Sequence, residues 1–202
     1  MPGVAPGGGP GHCGLCGAGL RADRQHQENA MDIFEAIHTR RSVRSFEPAP
    51  VAEEHIRTLL EAAMAAPSAG NAQPWEFVVV TDRALLDAVP AIHPYAAMCR
   101  QAPLAILVCG DTGREKYPGF WVQDCAAAVQ NLLLAARGLG LGAVWTGIHP
   151  VAEREEAFRR MFGLPASVVP LALVPVGHTT QPQGRKERFD AARVRRNRWE
   201  GR

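Results

Sequence analysis

The chain has 202 residues, 47% of them hydrophobic and 21% charged, a make-up that excludes wholesale disorder and suffices for one domain with a full core. Its 22 Lys and Arg against 20 Asp and Glu leave a formal charge of +2, too small to argue for nucleic acid or an anionic membrane as a general partner. No uninterrupted apolar run approaches the roughly 20 residues of a membrane-spanning helix, and five cysteines, an odd number, build no secreted disulfide framework; both facts predict a cytoplasmic protein with no membrane partner.

Residues 1–30 are rich in Gly and Pro and are predicted to be a disordered extension, with Met31 an alternative start. Cys13-Gly-Leu-Cys16 has zinc or redox spacing, but only His12 and His26 could complete four ligands there, so no metal is assigned. Asp32, with Glu35 three residues on, predicts the start of a helix whose apolar stripe is Ile33, Phe34 and Ile37. That helix ends at Arg40-Arg41-Ser42-Val43-Arg44. Such a cluster suits an anion, because guanidinium forks grip phosphate bidentately; it also suits a solvated helix end, where cations are favoured by the macrodipole.

Pro48-Ala49-Pro50 turns the chain into a helix over 52–65 with Ile56, Leu59, Leu60 and Ala63 on one face, stopped by Pro67. Ser68 to Pro74 reads as a loop that feeds a buried strand over 76–81. Short helices over 84–89 and 95–100 precede a second strand over 104–109, and the polar, Gly-bearing stretch 111–119 reads as a mobile loop or lid. A long, largely buried helix covers 121–139. The glycines at 138, 140 and 142 close that helix rather than open one, so they read as a C-cap and not as a dinucleotide fingerprint. A strand over 143–146, a loop over 147–150, a charged helix over 151–162 and a final strand over 168–176 follow; Pro170 and Pro175 predict that the last strand is an edge or a bulged one. From Gln181 onward the chain is a basic arm. Helices and strands thus mix in one α+β domain over 31–178, with non-globular segments at 1–30 and 179–202.

Four segments carry polar groups the core does not need: Arg40 to Arg44, Pro67 to Trp75, Trp145 to His149 and Lys186 to Arg188. In order and content they resemble the FMN-dependent nitroreductase family. The resemblance rests on Arg-Arg-Ser-Val-Arg after the first helix, Pro-Ser-Ala-Gly-Asn-Ala-Gln-Pro-Trp-Glu-Phe leading into the first strand, Gln-Asp-Cys-Ala-Ala-Ala in the long helix, Gly-Leu-Gly-Ala-Val-Trp-Thr-Gly beyond it, and a basic C-terminal pair. It extends from Met31 to about Phe189.

The resemblance implies a mixed, mainly antiparallel sheet flanked by helices, in a domain-swapped homodimer whose C-terminal arms wrap the partner subunit. It implies non-covalent FMN, reduced by NADH or NADPH, and a ping-pong reaction with an electron-poor small molecule such as a nitroaromatic or quinone. Arg40 and Ser42, with Arg41 as a lesser contact and Lys186 or Arg188 from the tail, would hold the phosphate. Arg44 would sit at the pyrimidine edge, Asn71 would read the ring with Ser68 and Gln73 secondary, and Pro67, Ala69, Trp145 and Ile148 would wall it. A backbone N–H at Thr146 or Gly147 would point at flavin N5. His149 is a candidate proton donor, although water would serve equally, and Trp75 and Trp121 read as core anchors. Two rivals stay open within the fold, a reductive dehalogenase using Glu115, Lys116 and Tyr117 and an enzyme that fragments its flavin. One rival lies outside it: a nucleic-acid or zinc module built on the arginine-rich tail and Cys13 with Cys16.

Overall fold

The computed structural model describes residues 31–199; the predicted disorder of 1–30 and the Cys13–Cys16 pair lie outside the described residues. Asp32 caps helix α1 (Ile33–Thr39), its Oδ1 accepting from the N–H groups of Phe34 (2.8 Å) and Glu35 (3.2 Å). The predicted stripe is not buried in the single chain: Ile33, Phe34 and Ile37 are 56%, 68% and 47% exposed, and only Ala36 packs inward. Helix α2 (Glu53–Met64) does bury its predicted face, through Ile56, Leu59 and Ala63.

Five strands form one antiparallel sheet: β1 (Trp75–Val80), β2 (Leu104–Asp111), β3 (Gly142–Ala143), β4 (Thr146–Gly147) and β5 (Val168–Gly177). The order is β1-β2-β5-β3, with β4 also paired to β5, and Ser42 adds a parallel bridge to Ala143. Side chains of β2 alternate strictly between two cores. Leu104, Ile106 and Val108 face α2 and α4 (Trp121–Gly138), while Ala105, Leu107 and Cys109 face α3 (Arg83–Ile92) and α5 (Ala152–Phe162). A strand buried on both sides reads as an unbroken apolar run, which is how β2 appears in the sequence.

One strand expectation is corrected, and the other is met by one of its two alternatives. The run leading from Glu76 is an edge strand, with Val79 exposed, and not a buried one. The proline-bearing last strand is central, buried along nearly all its length. It is nevertheless bulged: Val108 faces Ala172 while Cys109 faces Pro170, so Leu171 is the extra residue, and Leu171 and Ala172 consequently both enter the α2–α4 core. Pro175 explains why the single strand expected over 143–146 is two short ones. Its carbonyl accepts from Val144 N–H (3.3 Å), so the N–H that proline lacks would have pointed to that same side, and the ladder breaks at Val144 and Trp145.

Helix α4 ends in a Schellman motif. Gly140 adopts φ +73°, its N–H reaches Arg137 O (3.1 Å), and Leu141 N–H reaches Ala136 O (2.8 Å). At the other end Trp121 lies directly over Gly110, where a Cβ would meet the indole at 2.3 Å; Trp75 and Trp121 are both buried, as core anchors should be.

Candidate functional site

Residues 40–44 run beside β3, held by Val43 N–H to Ala143 O (3.0 Å). Gln181 clamps them from the returning tail, its Oε1 accepting from Arg44 N–H (2.9 Å) and its Nε2 donating to Ser42 O (3.3 Å). Val43 is fully buried, so the segment cannot slide. Arg41 bolts the tail down: its guanidinium donates to Arg40 O (2.6 Å), His38 O (3.0 Å) and Gly184 O, yet its buried Nε has no partner among the described residues.

Around it the charge is unbalanced. Arg40 is half-buried, and its pKa is lowered first by that burial, then by Arg188 and by Arg41. Among the described residues none of Arg40, Arg41, Arg44, Lys186 or Arg188 has a carboxylate partner. A cavity of about 450 Å³ brings Arg41 and Ser42 together with Lys186 and Arg188, and an adjoining one of about 370 Å³ includes Arg40. Crowded cations with an orphaned donor are costly without an anion to face, and a phosphate monoester supplies both charge and acceptors.

Arg44 opens into a different cavity, of about 610 Å³, with Trp145, Thr146 and Gly147. Thr146 is buried and spends its hydroxyl on Leu173 O (2.6 Å), leaving only its backbone for any ligand. The Gly147 carbonyl is held from behind by His93 Nε2 (2.9 Å) and Arg154 Nη1 (3.1 Å). Tyr95 N–H donates to His93 Nδ1 (3.3 Å), which fixes the neutral tautomer with its proton on Nε2. Burial is the main cause pushing the His93 pKa down; the bond to Gly147 opposes it and the Arg154 charge adds to it.

The third segment lies elsewhere. Ser68 Oγ accepts from Gln73 N–H (3.0 Å), and Ala69 N–H donates to Asp124 Oδ1 (2.9 Å) at the first turn of α4. Asn71 (φ +54°) and Gln73 (φ +49°) are left-handed, and both are exposed, as Pro67 is too; asparagine tolerates that conformation better than most residues, whereas glutamine there stores strain. The predicted lid is tethered to this loop and to β1, through Lys116 Nζ to Gly70 O (2.5 Å) and Arg114 to Glu76 (2.8 Å). The loop leads into β1 at one edge of the sheet, whereas Ser42 bridges β3 at the other, about 19 Å away across four strand spacings.

The predicted residues therefore form three groups within one chain. Arg40, Arg41 and Ser42 meet Lys186 and Arg188; Arg44 meets Trp145, Thr146 and Gly147; Pro67, Ser68, Ala69, Asn71 and Gln73 stand apart from both. Ile148 is withdrawn as a ring wall, because it is fully buried in the core. Four residues escaped the sequence reading: His93 and Arg154 behind Gly147, Asp124 under the Ala69 loop, and Gln181 across the arginine segment. Only Asp124 carried a signal: it stands in the Gln-Asp-Cys-Ala-Ala-Ala run, where no role is assigned to it.

Among the described residues no group of three or more His, Cys, Asp or Glu side chains is placed to hold a metal, and no helix is long and apolar enough to cross a membrane. The family profile described as "Nitroreductase family" matches residues 37–97 and 92–178. A Methanothermobacter thermautotrophicus relative, provisionally named NADH dehydrogenase/NAD(P)H nitroreductase, is 49% identical over 169 residues, covering 84% of this chain and 88% of that protein. The crystal structure of a similarly named protein from Parabacteroides distasonis superposes with a TM-score of 0.79 at 42% identity, over 83% of this chain and 98% of the other. A Desulfovibrio desulfuricans nitroreductase, also provisionally named and solved in complex with FMN, gives 0.73 at 34% identity over 84% and 99%. With the family profile matching most of the chain and relatives of this identity and coverage, the chain belongs to the nitroreductase family.

Proposed function

We propose that this chain is an NAD(P)H-dependent FMN oxidoreductase that works as a homodimer. One observation carries the reading: among the described residues Arg40 and Arg41 have no carboxylate partner and the buried Arg41 Nε has no partner at all, and both lie on the same five-residue segment as Arg44, which opens into the Gly147 cavity. A phosphate and a polar ring on one ligand fit that pair of neighbours. When bound, FMN supplies the two-electron chemistry, taking reducing equivalents from NADH or NADPH and giving them to an electron-poor small molecule such as a nitroaromatic or quinone.

The chain's own residues bind and orient. Arg40 and Ser42 hold the phosphate, with Lys186 or Arg188 completing the grip and Arg41 contributing less, since its Nη atoms already bond the backbone. Arg44 favours negative charge at the pyrimidine edge. The Thr146–Gly147 backbone faces the redox-active nitrogen, kept in register by His93 and Arg154, and Trp145 covers the ring. Asn71, Ser68 and Gln73, with the Pro67 and Ala69 walls, come from the second subunit.

Two facts support the shared site. The Asn71 loop and the arginine segment lie at opposite sheet edges, too far apart for one chain to close both on one ring. The α1 face of Ile33, Phe34 and Ile37 is bare in the single chain, as are Phe189 and Trp199 on the arm, which is what an obligate partner would cover. Quenching of FMN fluorescence on titration with flavin-free protein, read beside light scattering, tests both parts. Saturable binding at one FMN per chain in a particle of twice the 21.8 kDa chain mass is expected; a flavin-loaded monomer, or no binding, overturns the proposal.

A further inference from the structure

On the flavin reading above, we propose that His149, oriented by Glu155, delivers the proton that the acceptor needs in addition to its electrons. His149 lies two residues beyond Gly147 and lines the same cavity of about 610 Å³. Its Nδ1 is 2.8 Å from Glu155 Oε1 on the first turn of α5, and both side chains are mostly shielded, at 28% and 22% exposure. The Trp121 indole, itself wedged over Gly110, meets the imidazole edge-on at 4.9 Å and sets the plane of the ring.

Glu155 accepts from Nδ1–H whether the ring is charged or neutral, so the ring gains and loses its proton at Nε2. Among the described residues that atom has no hydrogen-bond partner, and it is not sealed from solvent. The other charged or titratable groups about this cavity differ in every case. Arg154 donates to Gly147 O and lies over the ring of Tyr95, whose side chain lines the cavity but is 71% exposed with no hydrogen bond to orient its hydroxyl among the described residues; His93 is consumed by Gly147 and Tyr95 N–H, and Arg44 cannot give up a proton. Asp124, one turn from Trp121 on α4, is bound to the Ala69 loop. His149 alone among them combines an open nitrogen with a fixed orientation.

The step balances. For a quinone, the Nε2–H bond of the imidazolium breaks and an O–H bond forms on the acceptor oxygen; the ring is left neutral and takes a proton back from water at the cavity mouth. The electron pair and the other proton originate from NAD(P)H by way of the bound flavin, so NAD(P)H, quinone and one proton become NAD(P)⁺ and hydroquinone.

The test compares two acceptors on the FMN-loaded dimer: benzoquinone, which must be protonated, and ferricyanide, which takes electrons alone. His149→Gln should slow benzoquinone turnover by about 100-fold and ferricyanide turnover by less than about threefold, and Glu155→Gln should give a smaller split in the same direction. Equal losses with both acceptors would assign His149 a structural role and overturn the proposal, as would no loss with either. A second readout needs no flavin. Long-range ¹H–¹⁵N spectra of the FMN-free protein should find the neutral His149 ring protonated at Nδ1, and in Glu155→Gln that preference should weaken; a ring protonated at Nε2 overturns the proposal. Wild-type protein that takes up no FMN defeats the flavin reading itself, a failure recognised before any variant is made.

Discussion

Arg40→Ala separates an anion site from an ordinary charged helix end, because the two ideas predict opposite signs. Arg40 is half-buried with no carboxylate partner among the described residues, and burial, Arg188 and Arg41 each disfavour its charge. In the FMN-free protein its removal relieves that cost, so the melting temperature should hold or rise, and added salt, which screens the Arg188 and Arg41 repulsion, should narrow the difference. With FMN the balance reverses. A charge-assisted hydrogen bond to phosphate contributes about 1.5–3 kcal/mol, so Kd should weaken about 10- to 150-fold. Arg188→Ala should behave alike, and the double variant should lose less than the sum, since the two guanidinium groups share one ligand. Fluorescence titration gives Kd and differential scanning fluorimetry the apo stability. A variant that melts lower without FMN and keeps Kd within twofold would refute the reasoning.

Other predictions test the frame of the site. Gly110→Ala should cost about 1–3 kcal/mol by thermal melting, because its Cβ would lie 2.3 Å from the Trp121 ring; an unchanged melt would mean the indole moves freely. Burial holds the His93 pKa below its usual value near 6.5, so an unfolded chain binds more protons than the folded one as pH falls past that value. Stability should therefore be full above about pH 6.5 and decline below it, and His93→Gln, which keeps a donor for Gly147 O, should flatten the decline in urea melts. Burial pushes the Cys99, Cys109 and Cys125 thiols up to about 12. In a Cys13→Ser, Cys16→Ser background these three should ignore a thiol-specific disulfide reagent until the protein unfolds.

Much of this architecture is legible in the sequence because its signals are local. Asp32 and Gly140 announce the ends of helices, and the unbroken run at Leu104 to Cys109 announces a strand covered on both faces. What misleads is information about neighbours. Pro170 and Pro175 leave an edge strand and a bulged one open without deciding between them; the strand is central and bulged, with one proline at the bulge and the other facing the gap between β3 and β4. The Ile33, Phe34 and Ile37 stripe promises a core contact that the single chain does not make. At the site, the arginine segment could be read from its own residues as suited to an anion, and the family resemblance joined the tail lysine and arginine to it. The supports behind Gly147 could not: His93 and Arg154 lie 54 and 7 residues away from it and look like any loop histidine and any helix arginine until the fold brings them together.

The central claim is that this chain carries FMN and exchanges electrons with a nicotinamide. The most direct measurement is the visible spectrum of the purified full-length protein, supplied with FMN and freed of excess, before and after NADH or NADPH is added without oxygen. The account predicts flavin absorbance retained with the protein, bleached by at least one of the two nucleotides, and restored by a quinone. A protein that elutes colourless, or a retained flavin that neither nucleotide bleaches, would contradict it.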